Sequence, residues 1–287
     1  MKGGTNPIAA AFVAACRDEL EAPKAGNVHL FAGGHRMTAV EFLRSADAAA
    51  GPLCTAGARV GQRILDAVDA TFNAVGMNTN LGIILLCAPL AAAAELKRPD
   101  LRTALAEVID ALDTEDASLA FRAIVRASPG GLGHAERHDV FSSATATLKQ
   151  AMAEAAHRDR IACQYVTGFA DIFDLGKRSL DDGLARWAER KWTTLAVYLG
   201  FLAAFPDSHV VRKYGTSAAD DVRRTAAGIH EELQKATDPS ALLSKILDWD
   251  TDLKARRINP GTSADLTVAT LFTDHLQSIL PSKRNSD

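Results

Sequence analysis

A chain of 287 residues with 47% hydrophobic and 23% charged residues has the make-up of an ordinary globular protein able to bury a sizeable core. A formal charge of −3 and a pI near 6.2 exclude the basic footprint of a nucleic-acid or anionic-membrane binder. Aromatics are scarce at 6% and alanines recur at 91–94 and 151–156, which favours closely packed helices over sheets. The four cysteines (Cys16, Cys54, Cys87, Cys163) lie far apart without a Cys-x-x-Cys pair, and read as reduced, mostly buried thiols rather than a zinc site. The longest apolar run is broken by Pro89 and followed by Glu95, so no membrane span is expected and the protein reads as cytoplasmic.

In chain order, Asn6-Pro7 supplies an N-cap and a first-turn proline. The apolar run Ile8–Cys16 passes directly into Arg17-Asp18-Glu19, which reads as an ordinary helix rather than a cleaved leader. Thr38 and Glu41 have the spacing of a capping box for a helix through Ala50. Between Gly57 and Asn73, Val60, Ile64, Leu65, Val68 and Phe72 form one apolar face. Leu81–Leu96 is apolar on nearly all sides and reads as the central buried helix. Asp100 and Asp116 are placed to cap helices at Leu101–Leu112 and Ala117–Ala127, and the Gly-rich run Ser128–Gly133 reads as loop. Further helices are expected at Ser143–Ala156, Arg158–Phe173, Leu180–Ala204, Ala218–Ala236, Pro239–Leu247 and Ala264–Leu280, with Asp238-Pro239 as another cap-plus-proline start. No run alternates long enough for a strand. The expectation is one all-α domain, a bundle of about ten helices spanning 1–287.

Polar residues collect at five junctions: Lys24–His35, Asn78–Asn80, Leu132–Asp139, Asp207–Gly215 and Asn259–Asp265. Asn78-Thr79-Asn80 stands at the start of the apolar helix, where free backbone N–H groups attract anions, phosphate above all; a plain helix cap explains one of the three residues. Ser263 reads equally as an N-cap or a ligand, and Arg212-Lys213 as an anion contact or a solvated pair at a helix end. His134 and His138 beside Asp139 have metal-pair spacing without a further ligand nearby. Within one helix, Asp159 and Cys163 share a face, as do Arg160 and Gln164. These features describe an anion-binding helical protein without choosing the anion.

Four motifs taken together resemble the triphosphoribosyl-dephospho-CoA synthase family: Glu21-x-Pro-Lys-x-Gly-Asn-Val, Gly76-x-Asn-Thr-x-x-Gly82, Asp207-Ser-His-Val-Val-Arg-Lys-x-Gly215 and Asn259-Pro-Gly-Thr-Ser-Ala-Asp265-Leu. They occur in the family's order across almost the whole chain. The resemblance implies an all-helical fold and a transferase that joins ATP to 3′-dephospho-CoA with release of adenine. It implies Lys24, Arg212 and Lys213 as phosphate contacts with Asn78 and Thr79, and Asn27, His29, Asn80, Asn259 and Ser263 as substrate-orienting groups. Asp265, Asp207 and Asp159 become candidates for the base that takes the attacking hydroxyl's proton, and Asp159 and Asp265 for Mg²⁺ ligands. The expected partners are a nucleotide and a small-molecule acceptor, with no nucleic acid and no membrane. The amphipathic stretch Leu180–Ala204, carrying Trp187, Trp192 and Tyr198, offers a homodimer face, with core packing the alternative.

The sequence departs from the citrate-lyase branch of that family. That branch has Asn-Thr-His-Lys-Gly where this chain has Asn78-Thr79-Asn80-Leu81-Gly82, and a Gly-x-His-x-Asp-Met motif where this chain has Gly34-His35-Arg36-Met37. A lost lysine at a triphosphate removes a contact of about 1.5–3 kcal/mol, enough to change substrate. The Asn-Thr-Asn-Leu-Gly form is similar to homologues of archaea and methylotrophic bacteria, which implies biosynthesis of a one-carbon carrier such as tetrahydromethanopterin or a methanofuran analogue. A non-catalytic helical module that binds a nucleotide or partner is the remaining reading.

Overall fold

The computed structural model describes residues 6–31, 38–129 and 137–281. The Gly34–Met37 motif, the run 130–133 and His134 lie outside the described residues. Among those described there are thirteen α-helices and no β-strand, as expected of an all-α chain, with a π-helical turn and a 3-10 turn besides. The first eight helices are α1 (Pro7–Glu21), α2 (Ala39–Leu53), α3 (Val60–Val75), α4 (Leu81–Glu95), α5 (Leu101–Asp110), α6 (Thr114–Ala127), α7 (Leu148–Ala155) and α8 (Arg160–Thr167). After the π-turn Asp171–Gly176 come α9 (Lys177–Arg186), α10 (Arg190–Ala204), α11 (Ser208–Lys235), α12 (Leu243–Ala255) and α13 (Gly261–Ile279). The chain forms two compact units, one from Met1–Ala15, Arg44–Phe169 and Phe272–Asp287, the other from Cys16–Leu43 and Ala170–Leu271.

The first unit is built on α4. Twelve of its fifteen residues are buried, and Ile84, Leu86 and Leu90 are fully enclosed, each contributing about 1.5–3 kcal/mol. Pro89 sits inside this helix and has no N–H to give the carbonyl of Leu85, four residues earlier. The buried Tyr165 hydroxyl donates to that carbonyl instead, at 2.6 Å. The side chain of α8 thus repairs the backbone defect that a proline makes in α4. On α3 the expected face holds: Val60, Ile64, Leu65 and Val68 are buried, while Phe72 is half-buried under the Arg126 guanidinium, 3.9 Å from its ring centre.

Several boundaries move for identifiable reasons. Helix α6 is capped by Asp113 rather than Asp116, which closes the capping box from inside the helix. The helix expected from Ser143 starts at Leu148, where Thr147 and Gln150 make a capping box that five small residues upstream cannot offer. Asp159 caps α8, which stops at Gly168, left-handed at φ 63, well short of Phe173.

In the second unit the expected helix Leu180–Ala204 is two helices, α9 and α10. Trp187 leaves the helix in an extended conformation and buries its ring. In one continuous helix Trp187 and Trp192, five residues apart, would lie about 140° apart around the axis; the break lets both join the core with Tyr198, Leu199 and Leu202. All three aromatics proposed for a dimer face are therefore core residues. The stretch Asp207–Gly215 is also not loop: Asp207 caps α11, and Gly215 (φ 83, ψ 169) breaks that helix in a backbone region open essentially to glycine.

Candidate active site

In the second unit the loop after α1 is held from inside. The Lys24 ammonium donates to the carbonyl of Val28 at 2.7 Å and lies 3.1 Å from Glu19 Oε1, with both side chains enclosed (0% and 1% exposed). Burial pushes the lysine pKa down and the glutamate pKa up, each against the attraction of the other. The loop turns at Gly26, whose φ of +79 and packing under Pro260, 2.8 Å from where a Cβ would stand, admit no side chain. Tyr198 donates to the carbonyl of Ala25 at 2.7 Å.

Two further contacts tie this loop to the α12–α13 region. Asn27 accepts from the N–H of Val28 and donates to Asn259 Oδ1 at 2.8 Å, so two motifs far apart in the chain meet amide to amide. The Gly26 N–H donates to Asp250 Oδ1 at 2.8 Å. The other Asp250 oxygen accepts from Lys254 at 2.8 Å and stands 3.3 Å from His29 Nε2, which is itself 3.4 Å from the Lys254 ammonium. Burial pushes the His29 pKa down despite Asp250. For Asp250 burial works the other way, but His29, Lys254 and the Gly26 N–H together hold its carboxyl below the usual range. Glu19, Asp250 and Lys254 were not among the residues expected here. The i,i+4 spacing of Asp250 and Lys254 was the one available signal, and it is common on any exposed helix.

Asp207 is fully buried and joins two helix starts. Its Oδ1 accepts from the N–H groups of His209 (2.9 Å) and Val210 (3.1 Å) on α11. Its Oδ2 accepts from the N–H (2.7 Å) and hydroxyl (2.8 Å) of Ser263 in the first turn of α13. Burial pushes the carboxyl up and these four donors oppose it. Ser263 is therefore not an N-cap; it is the residue that an outside carboxylate caps. The same carboxylate supplies the anion that two helix N-termini attract. Asp265 follows on α13 and is half-buried. Arg212 and Lys213 are exposed at the end of the first segment of α11, just before Gly215, and Tyr214 donates to the carbonyl of Arg257 at 2.7 Å.

In the first unit, Asn78 caps α4 by accepting from the N–H of Leu81 at 3.1 Å, and Thr79 donates to the buried Ser45 hydroxyl at 2.7 Å. Asn80 is buried with its side-chain N–H₂ lacking a partner, and Leu81 beside it is buried as well. Asp159 accepts from the N–H groups of Ile161 and Ala162, which is cap geometry. Asp159 thus belongs to the first unit, Asp207 and Asp265 to the second.

A family model described as ATP:dephospho-CoA triphosphoribosyl transferase matches residues 5–284. The chain belongs to that family. It is accordingly an enzyme of the transferase class. A crystal structure from Archaeoglobus fulgidus, described as that of a candidate triphosphoribosyl-dephospho-CoA synthase, has the same fold. It is 22% identical, aligns over 82% of this chain and 98% of its own, and gives a TM-score of 0.60. No curated protein matches the chain. In this member of the triphosphoribosyl transferase family, three of the four motifs are joined: the Asn259–Asp265 motif meets the first through the Asn27–Asn259 bond and the third through the Asp207 carboxylate. No single helix among the described residues is long and apolar enough to cross a membrane.

Proposed function

We propose that this enzyme, working in the cytoplasm, transfers the triphosphoribosyl group of ATP to 3′-dephospho-CoA. The observation that carries this reading is the family match over residues 5–284. In the reaction a ribose hydroxyl of dephospho-CoA attacks C1′ of the ATP ribose, the bond from C1′ to adenine breaks, and adenine leaves with its bonding electrons. The hydroxyl proton passes to a base, for which the half-buried Asp265 in the first turns of α13 is the candidate. Asp207 accepts four hydrogen bonds inside the protein, which suits it to positioning α11 and α13. Mg²⁺ would enter on the triphosphate, as this ion does with nucleotide substrates, needing no more than one or two protein carboxylates.

A second reading keeps the ATP donor and changes the acceptor, toward a one-carbon carrier precursor. It is favoured by the buried Asn80-Leu81 pair at the start of α4, where the citrate-lyase branch carries histidine and lysine. Mass spectrometry on a mixture of enzyme, ATP, Mg²⁺ and 3′-dephospho-CoA tests both. Adenine together with the coupled product supports the first reading. ATP binding without adenine release rejects dephospho-CoA as acceptor and leaves the second.

A further inference from the structure

Five ionisable side chains of the second unit form two contact sets, Glu19 with Lys24 and His29 with Asp250 and Lys254, and Lys24 acts electrostatically on the second set. Four of them are enclosed by protein. Lys254 is the exception, with 15% of its side chain exposed, and it is also the cation nearest His29. Lys24 cannot serve an incoming anion without giving up Val28 and Glu19. We propose that Lys254 is the cation that receives a phosphate of the substrate, and that His29 behind it is the positioning group that compensates the phosphate's charge. The proposal rests on the reading of a triphosphate-bearing donor and names its contact.

The charge count explains the arrangement. Two carboxylates and two ammonium groups cancel when His29 is neutral, which is the state that burial favours. A phosphate bound at Lys254 arrives beside Asp250, a carboxylate that already holds this lysine at 2.8 Å. The added negative charge must be offset inside a group with little water. Of the five, His29 has the side chain whose ordinary charge change lies nearest neutral pH. The charged groups facing it are Asp250 and Lys254 on α12 and Lys24 on its own loop, and the Phe31 ring lies 5.9 Å away. A phosphate contacting Lys254, whose ammonium stands 3.4 Å from His29 Nε2, favours the imidazolium, so binding takes up a proton from solvent. When His29 is charged, Asp250 keeps a cationic partner while Lys254 turns toward the ligand.

Isothermal titration calorimetry of the full chain tests this, with ATP and, separately, inorganic tripolyphosphate as titrants at pH 7. Each is run in two buffers of different ionisation enthalpy, which counts protons independently of turnover. The expected result is net proton uptake by the wild type with both ligands. Lys254→Gln should weaken binding about tenfold or more, the size of one lost charge-assisted contact, and Lys254→Arg should restore it. His29→Gln should bind without proton uptake. Wild-type binding of either ligand without proton uptake overturns the proposal, as does unchanged affinity in Lys254→Gln. Tripolyphosphate binding with uptake while ATP fails to bind sustains the site and overturns ATP as donor. Failure of both ligands to bind overturns both readings.

Discussion

Replacing Lys24 by methionine separates a structural lysine from a phosphate-binding one. The ammonium lies in an enclosed site with Glu19 at 3.1 Å, and neither Glu19 oxygen has an aligned hydrogen-bond donor. Removing the cation leaves a buried carboxyl without a partner and the Val28 carbonyl without its 2.7 Å donor. Breaking a buried ion pair from one side costs about 3–5 kcal/mol. Replacing both partners, as Glu19→Leu with Lys24→Met, removes the stranded acid and leaves only the carbonyl, at about 1–2 kcal/mol. The double variant should therefore be more stable than Lys24→Met by about 2 kcal/mol. Equilibrium urea unfolding followed by tryptophan fluorescence reads the right part of the molecule, because Trp187, Trp192 and Trp249 all belong to the second unit. ATP affinity of the folded double variant should match the wild type within a factor of about three, less than one lost charged contact would cause. A Lys24→Met variant within about 1 kcal/mol of wild type, the size of an average substitution, would refute the reasoning. So would a double variant no more stable than the single one.

Asp207→Asn keeps one oxygen for two donors and turns an N–H₂ group toward the other two, which should cost about 2–4 kcal/mol. Ser263→Ala should cost about 1–2 kcal/mol alone and add little to Asp207→Asn, as a double-mutant cycle by thermal unfolding will show. The depressed pKa of His29 fixes a sign for the pH dependence. Its contribution is complete above the ordinary histidine value of about 6.5 and is lost as pH falls from there through the lower folded value. Unfolding free energies at several pH values between 7.5 and 5 should decline in the wild type and flatten in His29→Gln; equal slopes would count against the assignment. Gly26→Ala meets both a positive φ and the Pro260 ring and should lose about 2–4 kcal/mol by the same unfolding assay, whereas an alanine that costs nothing would mean that the loop is not held under Pro260.

Much of the fold was legible because helix signals are local. Asn6, Asp100 and Asp238 cap the helices they were expected to cap, each accepting an N–H two or three residues on. The apolar run at α4 could only be a buried helix, and the structure buries it. What failed were boundaries set by competing local choices: Thr147 with Gln150 outbid Ser143 as a helix start, and Trp187 left its helix for a core that a periodicity reading does not contain.

The motifs, too, were legible as a set, and their order along the chain was enough to suggest the family. Their individual roles were not, because a role depends on what each side chain meets. Lys24 reads as one more polar residue of a junction until Glu19 and Val28 enclose it, and Ser263 reads as a cap until a carboxylate 56 residues away takes its N–H. Composition and local spacing determined that this chain is helical and where most helices begin. Only tertiary packing decided which charges are buried, because desolvation and long-range hydrogen bonds arise from neighbours that the sequence keeps more than two hundred residues apart, as it does Gly26 and Asp250.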